Sequence, residues 1–163
     1  MPEGVNMQGG KVFKYGDNVN TDVIIPARYL NDASAENLSA HAMEDIDPDF
    51  AKNVRKGDFI VGGCNFGSGS SREHAPLAIK ASGVRAVIAK SFARIFFRNA
   101  VNIGLYIVES PEMADEINEN DVLTLENGIL TDVTTGRSYT LPPMDDYVAR
   151  ILEKGGLMEA VKQ

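Results

Sequence analysis

The chain has 163 residues, 44% of them apolar, and a formal net charge of −7. That size supports one globular domain with a proper core and makes a second improbable. The acidic balance argues against nucleic acid or anionic membrane as a partner. The single cysteine, Cys64, excludes an internal disulfide and cannot by itself hold an iron–sulfur cluster or a four-thiolate zinc site.

Met1 to Gly10 has neither a basic start nor an apolar stretch, so it reads as a flexible leader to a single domain spanning 1–163, and as neither signal peptide nor anchor. No segment approaches membrane-spanning length, and the expected location is cytoplasmic. Lys11-Val-Phe-Lys-Tyr15 alternates enough for a short strand, followed by a turn at Gly16-Asp-Asn18. Thr21 and Asp22 read as turn or capping groups before Val23-Ile-Ile25 and Pro26. Tyr29 to Ala35 is polar and small, the composition of a mobile loop. Ser34 then caps a helix over Ala35–Glu44, and Asp47-Pro-Asp49 opens another helical turn. His41 has no metal-ligand partner at suitable spacing and reads as a surface histidine.

Asp58-Phe-Ile-Val61 is an apolar run of the buried-strand kind, and it feeds Gly62-Gly-Cys-Asn-Phe-Gly-Ser-Gly-Ser-Ser-Arg-Glu-His-Ala75. Pro76 to Ala81 then reads as helix, ended by Gly83. Gly62, Gly63, Gly67 and Gly69 permit positive φ and close backbone approach, while Ser70 and Ser71 fall where a helix start has unpaired N–H donors. Such a terminus attracts anions, and Arg72 adds a positive fork. The simple alternative is a capped turn with no ligand. The loop lacks a Gly-Lys-Ser/Thr ending, which disfavours a triphosphate. Cys64 reads as a small buried residue beside the loop.

Val84 to Ala89 is a second apolar strand, so the intervening helix makes a β-α-β unit with parallel pairing. Ser91 is the expected cap of a further helix on which Phe92, Ile95, Phe96 and Asn99 share the sheet-facing side, and Arg94 and Arg98 share another. Leu105 to Val108 is a third strand. Pro111 to Asn118 is a short helix, Asn127-Gly128 joins a hairpin of 121–125 and 129–133, and 137–141 extends it. A last helix is expected over Met144–Lys154, stopped by Gly155-Gly156. From Phe59 to Val108 the charge is +5 and elsewhere −12, a positive centre suited to a small polycarboxylate. Lys80 and Arg85, which flank Gly83, read as solvated helix ends.

Gly67-Ser-Gly-Ser-Ser-Arg-Glu-His-Ala75 resembles the signature of the swivelling domain of the aconitase superfamily, and Asn20 to Leu30 and Lys90 to Asn99 resemble two further blocks in the same order. The resemblance runs from about Gly10 to the C-terminal helix. It implies an α/β fold, a three-layer β/β/α swivelling domain with a mostly parallel central sheet and an added antiparallel hairpin. It also implies a free-standing small subunit of a hydro-lyase that isomerises 2-isopropylmalate and 3-isopropylmalate by dehydration and rehydration, in leucine biosynthesis. That chemistry needs a base, a Lewis acid and cations for carboxylates. By resemblance Ser70 is the base, acting as an alkoxide, Ser71 and Arg72 hold substrate, and Gly67, Gly69 and His74 support the loop. The Lewis acid would be a [4Fe–4S] cluster on a partner large subunit, with no metal bound by this chain alone. Arg28, Leu30 and Asn31 fall in the segment that, by resemblance, meets the part of the substrate that differs between superfamily members. Leu30, Asn31 and Asp32 offer no cation for a third carboxylate, which leans towards an apolar tail. Homoaconitate and methylated malates remain alternative substrates, and an autonomous serine-dependent enzyme or a non-catalytic anion-binding module are alternative classes. A Ser70–His74 hydrolase pair is disfavoured because the loop is not a Gly-x-Ser-x-Gly elbow. The isolated chain is left open to homo-oligomer formation.

Overall fold

A computed structural model describes residues 9–32, 34–69 and 73–141. Residues 1–8 of the leader expected to be flexible, the residues Ser70, Ser71 and Arg72, and the helix expected over 144–154 lie outside the described residues. Those described form a seven-stranded sheet: β1 (Gly10–Lys14), β2 (Phe59–Gly62), β3 (Ala86–Ala89), β4 (Ile107–Glu109), β5 (Val122–Glu126), β6 (Ile129–Asp132) and β7 (Arg137–Thr140), in the order β4-β3-β2-β1-β5-β6-β7. The first four are parallel and the last three join antiparallel.

This split follows from the chain between the strands. β1, β2, β3 and β4 are each separated by helical segments long enough for a crossover, and β2 and β3 are buried at every position, as strands covered on both faces must be. The crossovers carry α1 (Thr21–Ile24), α2 (Ala35–His41), α3 (Phe50–Asn53), α4 (His74–Ala81) and α5 (Arg94–Asn102). Leu38, Phe50, Ala78, Ile79, Phe96 and Ala100 from these helices pack in one core with Phe13, Ile60 and Val87 of the sheet. On the opposite face, Val12, Phe59, Val61 and Ile88 share a second core with Met113 and Ala114 of α6 (Pro111–Glu116) and with Leu123, Leu125 and Leu130 of the meander. The layers are therefore helices, parallel sheet, and the antiparallel strands that cover it. The expected hairpin is part of a three-stranded meander. Asn127 and Gly128 make its first turn with φ of 52° and 76°, the left-handed pair that a tight hairpin demands.

Several helix boundaries differ from expectation. α2 stops at His41, and α4 begins at His74, two residues before Pro76. Ser91 does not cap α5, whose N-cap is Ala93; the Ser91 hydroxyl instead accepts from the Asn65 amide at 2.8 Å. Neither Lys80 nor Arg85 is merely solvated. Lys80 Nζ donates to the carbonyl of Ile103, the C-cap of α5, at 2.6 Å, and Arg85 reaches the Leu125 carbonyl and lies over the Tyr106 ring.

At the start of the meander, Asp121 and Asp132 are 5% and 1% exposed. Asp132 Oδ1 accepts from the Thr135 amide, whereas Oδ2 is buried without a hydrogen-bond partner among the described residues. Burial first, and the neighbouring Asp121 carboxyl second, hold Asp132 up at about 6, against 3.8 for a free aspartate. The stability tied to this raised value is complete below 3.8 and is lost as pH rises through about 6. Asp132→Asn, which keeps an acceptor for Thr135 and carries no charge, is expected to raise unfolding free energy at pH 8 by up to about 3 kcal/mol and to change little at pH 4. Denaturant unfolding at the two pH values checks this, and an equal effect at both would refute it.

Candidate functional site

The carboxyl ends of the three adjacent strands β1, β2 and β3 each release a loop, and the three loops are bonded to one another. Ligand sites of open parallel sheets lie at this edge. From the β2 loop, the Gly67 amide donates to Val19 O at 2.7 Å, and the Ser68 carbonyl accepts from the Thr21 amide at 2.8 Å. On the β1 side, the Asp17 carboxylate takes the Cys64 amide at 2.7 Å. On the β3 side, Phe66 N donates to Ser91 O at 3.0 Å and Phe66 O accepts from Ala93 N at 2.9 Å, a short parallel bridge between Phe66 and Phe92. The Gly67–Ala75, Asn20–Leu30 and Lys90–Asn99 blocks, far apart in sequence, thus meet at one place.

Phe66 fastens the loop. Its ring is fully buried and meets Phe92 and Phe96 edge-on, with centroids 5.9 and 5.5 Å apart. Gly67 beside it has φ +83°, and a Cβ there would run into the Phe96 ring. The absent side chain is therefore required twice, once by the backbone angle and once by the ring. Gly69 also has positive φ, +95°, but opens towards Asn20 and Thr21 at ordinary contact distance. The chain then enters 70–72, outside the described residues, and re-emerges at Glu73, the N-cap of α4. α4 starts at His74, and Ser70, four residues earlier, lies outside the described residues. His74 is half-buried and opens α4.

Cys64 is exposed, not buried. The loop turns outward after Gly63, with Asn65 at φ +60°, and carries Cys64 away from the core. One thiol is far from the set of thiolates a [4Fe–4S] cluster takes, and the described residues contain no group of three His, Cys, Asp or Glu placed to hold a metal ion. A resident cluster does not fit this chain.

The 27–32 segment lies along the β1 side. Arg28, in the 3-10 turn Ala27–Tyr29, is exposed and gives its guanidinium to Asp45 at 2.7 Å and Glu44 at 3.0 Å. The Tyr29 ring stacks on His41 at 3.6 Å between centroids, and its hydroxyl donates to Glu44 at 2.6 Å. His41 bonds the other Glu44 oxygen at 2.8 Å, so it is a partner in a cluster and not a lone surface histidine. These bonds, that to His41 foremost, hold Glu44 down at about 2. Asn37 Nδ2 donates to the carbonyls of Tyr29 and Asp32 at 2.8 and 2.6 Å, and Leu30 packs against the helical core. The segment expected to be a mobile loop is thus tied to α2 on both sides of Asn31, whose own side chain is exposed. Asn37, His41 and Glu44 went unnoticed as its supports; the available signal was the i, i+4 spacing of Asn37 and His41 on α2 and Glu44 three residues beyond its last residue.

The model of the aconitase C-terminal domain matches residues 5–113. The chain belongs to that family, among the small subunits of 3-isopropylmalate dehydratase. It is 54% identical to the small subunit of that enzyme from Nautilia profundicola over 161 residues, covering 98% of this chain and 96% of the relative. It is 57% identical to that from Heliobacterium modesticaldum over 155 residues, 94% and 93% of the two chains. A crystal structure of 3-isopropylmalate dehydratase from Methanocaldococcus jannaschii superposes with a TM-score of 0.87 at 42% identity, covering 94% of this chain and 92% of that one. The mixed α/β sheet of this family is the fold expected from the sequence.

Gly67→Ala should cost at least about 3 kcal/mol, from left-handed backbone strain plus overpacking against Phe96. Gly136→Ala has similar φ, +81°, with nothing within 4 Å of the added Cβ, and should cost only about 1–2 kcal/mol. Urea unfolding of both variants separates the packing contribution; equal losses would show that the ring contact matters little.

Proposed function

We propose that the chain is the small subunit of a heteromeric hydro-lyase that interconverts 2-isopropylmalate and 3-isopropylmalate by dehydration and rehydration in leucine biosynthesis, acting in the cytoplasm with the large subunit of 3-isopropylmalate dehydratase. The observation that carries the reading is the junction of three family blocks at the carboxyl ends of parallel strands, in a chain more than 50% identical to such subunits.

In this reading Ser70 takes and returns the carbon-bound proton, and Ser71 and Arg72 hold a substrate carboxylate. A serine is a feeble base unless its alkoxide is stabilised by fixed donors. The amides opening α4 and the Arg72 guanidinium are the available donors, and Gly67 and Gly69 let the backbone close around them. The bonds Thr21 N to Ser68 O and Gly67 N to Val19 O support such a role, because they fix the chain immediately before Ser70. His74 adds support at the helix start. The Lewis acid that the dehydration requires would be supplied by a [4Fe–4S] cluster on the large subunit, since this chain, with one cysteine, lacks the thiolates for one.

Substrate choice rests on 28–32. A third carboxylate would need a free cation there, and the Arg28 guanidinium is already paired with Glu44 and Asp45. Leu30 and Asn31 are left to meet the substrate, which favours the isopropyl tail over homoaconitate. Arg28 then serves first as a brace for the turn, and reaches substrate only by exchanging its two carboxylate partners.

Reconstitution with the iron–sulfur large subunit is expected to give turnover that neither chain has alone, fastest on isopropylmalate. Ser70→Ala is expected to lower kcat by at least about 100-fold at unchanged assembly. Turnover within a few-fold of wild type in that variant would remove Ser70 from its role, and a preference for homoaconitate would overturn the substrate assignment.

A further inference from the structure

α5 was expected to lay Ile95 on the sheet. Instead Ile95 is 52% exposed and Phe97 39%, the only pair of exposed large apolar side chains that share a helix among the described residues. Phe96, Ala100 and Val101 form the buried side. Arg94 and Arg98 are also exposed, and neither makes an ion pair among the described residues. At about 100° per residue, the four side chains cover the outward half of the first turn and a half in the order Phe97, Arg94, Arg98, Ile95. Two cations are thus framed by two apolar groups.

This face is continuous with the site. α5 begins at the residue after Ala93, whose amide is bonded to Phe66 of the glycine loop, and Phe97 touches Phe92, which bridges to the same loop. If the hydro-lyase reading holds, the iron-bearing chain must come within bonding distance of a substrate held at this loop. A chain that covers the loop meets whatever adjoins its rim. From this continuity, which rests on that reading, we infer that the Arg94–Ile95–Phe97–Arg98 face of α5 is a docking surface for the large subunit, received by an apolar seat flanked by carboxylates. Carboxylates are required because Arg94 and Arg98 would otherwise be desolvated without partners. A stable interface covers about 800 Å² per partner, more than one helix face provides, so the partner also covers the loop rim.

The test titrates the lone chain with the large subunit, reading dissociation constant and isopropylmalate turnover together. Ile95→Glu, and separately Arg94→Glu with Arg98→Glu, are expected to weaken binding at least about 30-fold and to regain near wild-type kcat at saturating partner. The wild-type affinity should fall with added salt more steeply than that of the double arginine variant. Val133→Glu, 57% exposed and beyond β6, should leave affinity unchanged. All these positions are exposed, so the lone variants should keep the wild-type melting temperature; if Ile95→Glu does not, the arginine pair decides. Wild-type binding with unchanged affinity in both α5 variants would overturn the docking face alone. Failure of the wild-type chain to bind or activate any iron–sulfur large subunit would overturn it together with the hydro-lyase reading.

Discussion

The constraint on which the site depends is the absence of a side chain at Gly67. With φ +83° and the Phe96 ring where a Cβ would be, this residue lets the glycine loop lie flat against α5 while Phe66 enters the core. Once Phe66 is seated, the adjacent amides and carbonyls fall opposite those of the β1 and β3 loops, and Val19, Thr21, Ser91 and Ala93 satisfy them. Buried peptide groups without such partners would each cost a few kcal/mol, so the three loops are stable only together. A parallel sheet supplies the geometry, since it delivers successive loops to the same edge at the spacing of adjacent strands.

A second set of bonds fixes the region that, on the proposed reading, meets the variable part of the substrate. Glu44 is shared by Arg28, Tyr29 and His41, and Asn37 reaches the carbonyls on either side of Leu30 and Asn31. α2 therefore acts as a splint for a short stretch that would otherwise have the freedom its composition suggests. Surface ion pairs of this kind contribute little to overall stability. Their effect is local, because several bonds converge on one carboxylate and hold the turn in a single arrangement.

Much of the architecture was legible because strong local patterns agreed with the fold. The apolar runs at β2 and β3, the helix-length crossover and the Asn127-Gly128 turn each state their structure within a few residues. The glycine-rich string and two further blocks marked the loops that meet at the candidate site. Errors arose where a tertiary bond overrode local pattern. Ser91 looks like a cap but is used by the Asn65 amide, so α5 starts later. Counting helical period from Phe92, which lies outside the helix, then put Ile95 on the wrong side. Cys64 departs from the usual preference of cysteine for burial because the loop turns outward there. Lys80 and Arg85 find distant backbone carbonyls that no sequence window contains.

The same displaced helix start has a functional consequence. Had α5 followed the period counted from Phe92, Ile95 would face the sheet and only Phe97 would stand outside with the two arginines. The extended segment 91–93 is held by the glycine loop, and in the helix that follows it Ile95 and Phe97 stand outward beside Arg94 and Arg98. The contacts that build the glycine loop therefore also hold the segment from which α5 starts. A mostly acidic protein carries its positive segment in β2 to β4 and the helices between them, the region that holds both the loop and this face. On the proposed reading, the two tasks of holding a carboxylate and meeting the iron-bearing chain draw on one local excess of positive charge, which a self-contained enzyme would have enclosed within its own fold.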